Sequence, residues 1–115
     1  MTKPDAAATL LRPAAFNILL ALAGSDLHGL GIAQEVELIT HGTMQLGPGT
    51  LYRSLKEMAR DGLVREIAAP DPDADPRRKY YRVTAAGRQR LEREAVHLER
   101  LVDAARARNV LADPR

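Results

Sequence analysis

The chain has 115 residues, 45% of them apolar, and a formal net charge of +2 at pH 7, which describes one globular domain rather than a disordered chain. It has no Cys, so disulfides, Cys-bound zinc and thiol chemistry are excluded. Aromatics make up 3% and there is no Trp, so the core must be built from Leu, Val, Ile and Ala, a composition that favours helices over a sandwich or barrel.

Residues 1–12 are expected to form a flexible arm. Arg12 and Pro13 break its short apolar run, so it lacks the form of a secretory signal. No run in the chain approaches the ~20 apolar residues of a membrane span. A cytoplasmic protein without a membrane partner is expected. Pro13 suits the first position of a helix, where its missing N–H does no harm. Ala14 to Ala23 is almost wholly apolar and reads as a central buried helix. Gly24, Ser25 and Asp26 form a turn. A second helix is expected from His28 or Gly29 to about Thr40, with Ile32, Val36 and Ile39 on its buried side.

The third helix has clear punctuation: Gly47 at the cap, Pro48 at the first position and Gly62 just past the end. Leu63 to Ala68 and Lys79 to Thr84 read as two strands. Between them lies a stretch with three prolines and three aspartates, which can only be a loop. Thr84 offers its hydroxyl as the cap of a last helix over about 85–108. Leu91, Ala95, Leu98, Val102 and Ala105 alternate spacings of four and three, a short heptad seam. Residues 109–115 are expected to fray. The class is therefore mainly α with a small β-hairpin. Residues 13–84 have the outline of a winged helix-turn-helix, followed by one C-terminal helix.

The chemistry is concentrated in the third helix. On a wheel, Leu51, Leu55 and Met58 fall within about 60° of one another, while Gly49, Arg53, Lys56 and Arg60 cluster opposite. Tyr52 lies on the flank. A helix fits the major groove, Arg can pair bidentately with guanine, and a helix N-terminus favours phosphate. Residues 77–93 add seven basic side chains and one acidic one. Within them Arg77, Arg78 and Lys79 stand at the rising edge of the wing, where they can grip phosphates or a minor groove. On the second strand Arg78, Tyr80 and Arg82 alternate with Lys79, Tyr81 and Val83. The Asp-rich tip is expected to bend away from DNA or to be mobile. His28, His41 and His97 lack metal-ligand spacing and read as surface or capping residues. Asp71, Asp73 and Asp75 lack the glycine and closing glutamate of a calcium loop. No nucleophile–base arrangement is visible, so neither an enzyme nor a cofactor is expected.

Three stretches together, residues 18–36, 46–64 and 77–91, carry a specific combination: P-G-T-L-Y before R-x-L, joined to K-Y-Y-x-x-T-x-x-G. With them the chain resembles the PadR-like transcriptional regulators of bacteria over about Phe16 to Leu101. The resemblance implies a homodimeric repressor on double-stranded, pseudo-palindromic DNA. It also implies release by a small-molecule effector whose identity the sequence does not name. Thr50 and Tyr52 match residues that touch DNA, and Arg78, Lys79 and Tyr80 match wing residues. The DNA-binding set is thus Pro48, Gly49, Thr50, Tyr52, Arg53, Lys56, Arg77, Arg78, Lys79 and Tyr80. The dimerisation set is Phe16, Leu91, Ala95, Leu98, Leu101, Val102 and Ala105. Departures are Leu30 and Gly31, where the family often has an aromatic and an acid, and Gly47, where it often has Ser or Thr. The absence of Trp excludes drug binding between stacked tryptophans. The alternative from another class is a winged-helix module that binds a protein partner.

Overall fold

In a computed structural model, described over residues 9–113, the chain runs α1 (Pro13–Gly24), β1 (Leu27–His28), α2 (Gly29–Ile39), α3 (Pro48–Arg60), β2 (Val64–Ile67), β3 (Tyr80–Val83) and α4 (Ala85–Ala107). Each start has a local cause. Pro13 and Pro48 sit in the first turns of α1 and α3. Thr84 Oγ1 accepts the Gly87 amide at 3.0 Å to begin α4. The end of α3 turns at Gly62, whose φ of +76° is a left-handed conformation that glycine adopts without steric penalty. There the Leu63 amide donates back to the Met58 carbonyl at 2.8 Å.

The core lies where α1, α2, α3 and the sheet converge. Ile18, Leu19, Leu22, Ile32, Val36, Leu51, Leu55 and Met58 are buried together with Val64 and Tyr81. Burying each such aliphatic side chain stabilises the fold by about 1.5–3 kcal/mol before entropy is counted.

Three findings revise expectations from the sequence. First, the hairpin is part of a three-stranded antiparallel sheet in the order β1-β3-β2. Leu27 pairs with Tyr81 and His28 with Tyr80, so the turn after α1 is stitched to the wing. The Asp26–Arg82 ion pair, at 2.6 Å, fastens the same junction. Second, Leu91 does not belong to a free seam. It is 7% exposed and sits in the protomer's own core. Third, the described part of the N-terminal arm is docked. The Leu11 amide donates to both carboxylate oxygens of Glu94, at 2.9 and 3.0 Å. Arg90 closes on the same carboxylate at 2.7 Å and donates to the Thr9 carbonyl. Residues 1–8, the rest of that arm, lie outside the described residues, as do 114 and 115 of the tail.

Candidate nucleic-acid interface

The buried stripe of α3 is Leu51, Leu55 and Met58, as its wheel requires. This anchoring turns Gly49, Thr50, Tyr52, Arg53, Lys56 and Arg60 outward, and all are exposed, as is Pro48. Among the described residues neither Arg53 nor Lys56 has an ion-pair partner, whereas Arg60 pairs with Asp61 at 3.7 Å. The helix starts on Gly47 without a side-chain cap. Its first amides are consequently not bonded to a capping side chain.

Tyr52 leans from α3 onto the start of α2. A Cβ added at Gly29 would come within 2.9 Å of Tyr52 Cζ and nearer still to its hydroxyl. The glycine is thus the room that Tyr52 occupies. Glycine is a poor helix former, and this contact accounts for its place in the first turn of α2. Tyr52 then shares one open concavity of about 340 Å³ with His28, Gly29, Leu30, Arg77, Arg78 and Lys79. The structure therefore brings together two candidate groups separated in sequence, the start of α3 and the root of the wing. His28, Gly29 and Leu30 join them and were missing from the expected set. His28 caps α2 through Nδ1, which accepts the Gly31 amide at 3.1 Å. Its ring also meets Tyr80 edge-on at 5.3 Å. Only the capping role was legible from sequence, since Tyr80 lies far along the chain.

The wing root carries its charge in exposed pairs. Arg77 grips Asp75 at 3.2 Å and Lys79 reaches Glu66 at 3.6 Å. The Arg77 hydrogen bonds hold the Asp75 carboxyl below its usual pKa. At the tip, Asp71 and Asp75 accept the amides of Asp73 and Arg77, each at 2.9 Å. These aspartates build turns. Among the described residues no group of His, Asp and Glu could hold a metal ion.

The run of seven basic residues does not form one surface. Arg82 is committed to Asp26, whose carboxyl the guanidinium holds below its ordinary pKa. Arg90 is committed to Glu94, and Arg88 donates to the Ala23 carbonyl at 3.2 Å. Only Arg77, Arg78 and Lys79 line the concavity. Sequence density alone overstated the cluster, because it cannot see which cations the fold has paired.

The expected dimerisation residues divide. Leu98, Leu101 and Val102 are 45%, 53% and 37% exposed, large apolar side chains with water around them. Ala95 is exposed and Ala105 half-buried nearby on α4. Phe16 is half-buried and lines a hollow of about 370 Å³ with Leu10, Leu11 and Leu98. Leu91, as noted, faces inward.

Comparison with known proteins agrees with this architecture. The model of the transcriptional regulator PadR-like family matches residues 18–93. The chain is 40% identical over 86 residues to the transcriptional regulator Rv3488 of Mycobacterium tuberculosis, covering 74% of this chain and 75% of that one. It is 37% identical over 84 residues to an uncharacterised 37.1 kDa protein in transposon Tn4556 of Streptomyces fradiae, covering 73% of this chain but only 22% of that longer protein. Among solved structures, a PadR family transcription regulator from Clostridium difficile superposes with a TM-score of 0.69 at 24% identity, covering 85% of this chain and 98% of its own. No helix among the described residues is long and apolar enough to cross a membrane. The winged-helix body, the helix α3 and the family match converge on one assignment: the chain belongs to the PadR-like family of transcriptional regulators.

Proposed function

We propose that the protein is a cytoplasmic repressor that binds a pseudo-palindromic operator as a homodimer. The observation that carries this reading is the continuity of α3 with the wing root. Arg53 and Lys56 stand exposed on one helix face, and Tyr52 joins that helix to a concavity lined by Arg77, Arg78 and Lys79. A helix of this kind reads base edges in the major groove, and cations beside it hold phosphates. In this reading Pro48, Gly49 and Thr50 bring the start of α3 close to the backbone, Arg53 and Lys56 reach the groove, and the wing clamps its flank. Leu98, Leu101 and Val102 meet their equivalents in a second copy. A small-molecule effector that releases DNA belongs to the same reading, and the hollow lined by Phe16, Leu98, Glu94 and His97 is the place to look for it.

The test is a gel shift of the whole protein on the DNA directly upstream of its own coding sequence, repeated over a range of salt. Binding should weaken steeply as salt rises, because each phosphate contact releases counterions. An absence of binding at low salt overturns the reading and favours a protein-binding module.

A further inference from the structure

Hydrogen-bond accounting at His28 leaves one atom facing the wrong kind of neighbour. Nδ1 accepts the Gly31 amide, at 3.1 Å, so it carries a lone pair. A neutral ring must then carry its proton on Nε2. Burial, and after it the Arg78 guanidinium, push the His28 pKa below its ordinary 6.5, so the ring is neutral at pH 7. Yet Nε2 lies 2.9 Å from a terminal nitrogen of Arg78. A guanidinium has donors and no acceptor. In that tautomer, the one that lets Nδ1 cap α2, the Arg78 N–H and the His28 Nε2–H face each other with no lone pair between them. Neither is satisfied by the other, and an oxygen acceptor entering there would satisfy both.

The surroundings say what that acceptor is. The concavity is open, and Arg77 and Lys79 line it beside Arg78. Their own partners, Asp75 and Glu66, sit in exposed pairs that contribute little and that a polyanion can displace. The start of α2 adds the partial positive charge of a helix N-terminus. Tyr52 forms part of the wall, so whatever enters lies between α3 and the wing. Arg78 is exposed, and its guanidinium can turn to make room.

We propose that His28 and Arg78 form a seat for a backbone phosphate of duplex DNA, one phosphate oxygen accepting from His28 Nε2–H and the Arg78 guanidinium together. The inference rests on the DNA-binding reading above and adds to it a contact from outside α3 and the wing. The plainer role for His28 is structural, as the cap of α2 and the edge-on neighbour of Tyr80. His28→Asn separates the two, because Asn is among the best capping residues yet its side chain ends short of the Nε2 position.

The experiment is an anisotropy titration of the whole protein on the upstream duplex, with wild type, His28→Asn, Arg78→Ala and the double variant, each over a series of salt concentrations. His28→Asn should lower the thermal midpoint at pH 7.5 by only a few degrees, for the lost edge-on contact with Tyr80, and should lose about tenfold in affinity, the size of one charge-assisted hydrogen bond. The double variant should lose little more than Arg78→Ala, since the two donors share one oxygen. The His28 ring, observed by long-range nitrogen–proton NMR, should be the Nε2–H tautomer and its Nε2 resonance should move on adding duplex. If His28→Asn binds as wild type does, or the free ring carries its proton on Nδ1, the seat is overturned while DNA binding stands. If wild type binds no duplex at low salt, both fall.

Discussion

Gly87 shows how one missing carbon can set the geometry of a junction. It lies in the first turn of α4, where its helix propensity is poor, yet a Cβ there would come within 2.9 Å of Val83 Cγ2 and 3.0 Å of the Leu63 carbonyl carbon. That carbonyl cannot yield easily, because the Thr84 amide donates to it at 3.0 Å. In an open helix Gly→Ala gains about 1 kcal/mol. Here Gly87→Ala should destabilise by about 1–3 kcal/mol through overpacking against backbone. Urea unfolding should show a lower midpoint at an unchanged slope. Gly29→Ala meets only the far end of the exposed Tyr52, so its cost should fall on the placement of that ring more than on stability. The titrating residues give a second residue-scale test. His28 favours its neutral form in the fold, so its contribution is complete above about pH 6.5 and is lost as pH falls through the lowered folded value. Asp26 favours its charged form, so its contribution persists to more acid conditions and is lost only as pH falls through its own lowered value. The thermal midpoint of wild type should therefore decline in two stages from pH 8 to pH 3. His28→Asn should remove the first stage, and a decline in that variant identical to wild type would show that His28 is not its source.

At the scale of elements, α3 was legible because its signals are local: Pro48 and Gly62 bound it, and the spacing of Leu51, Leu55 and Met58 orients it. β1 was not legible. Two residues have no periodicity, and Leu27 and His28 become a strand only because β3 lies beside them. The α4 seam was half legible. Spacing put Leu91 and Leu98 on one stripe, but a stripe does not say which of its turns the protomer's own core will use. The docking of Thr9 and Leu11 was hidden for the same reason, since it depends on Arg90 and Glu94, more than eighty residues away. That carboxylate is 6% exposed and paired with Arg90. Removing one partner of such a pair leaves a buried charge, so Glu94→Ala should cost about 3 kcal/mol and free the arm for proteolysis near Leu11. The exposed face of α3 calls for the opposite outcome. Arg53→Ala and Lys56→Ala remove side chains with no ion-pair partner, so stability should stay within about 0.5 kcal/mol of wild type. If Arg53 reads a base, its loss should weaken operator binding about tenfold or more and relax preference at one position. If Lys56 meets only phosphate, its loss should weaken all duplexes alike and make the salt dependence shallower. Unchanged binding by both variants would mean that another element reads the DNA.

The whole molecule is more extended than its length requires. Its Cα radius of gyration is 16.1 Å, against about 13 Å for a compact domain of this size. The excess has a plain source in α4, whose 23 residues would run about 35 Å end to end. Its first turns are fixed to the body through Leu91 and Glu94, and its later turns leave Leu98, Leu101 and Val102 exposed. A helix that carries large apolar side chains beyond its own core is not stabilised by them as a monomer, because they remain in water. Burial against a second copy, as in the proposed homodimer, would supply the missing term and would also fix the distance between two α3 helices. A two-fold dimer would then present these helices to half-sites separated by one helical turn of DNA or a multiple of it. Leu98→Glu combined with Leu101→Glu should therefore give a monomer by light scattering, with helical circular dichroism retained because neither side chain belongs to the core. Its operator affinity should fall by about a hundredfold or more, since each half-site must then be bound without the linkage to the other. Affinity for a single half-site should stay as it was. That pairing of results separates a dimer interface from a structural role for α4: a variant that loses half-site binding has been damaged in its DNA-reading body, and a variant that remains dimeric has its interface elsewhere.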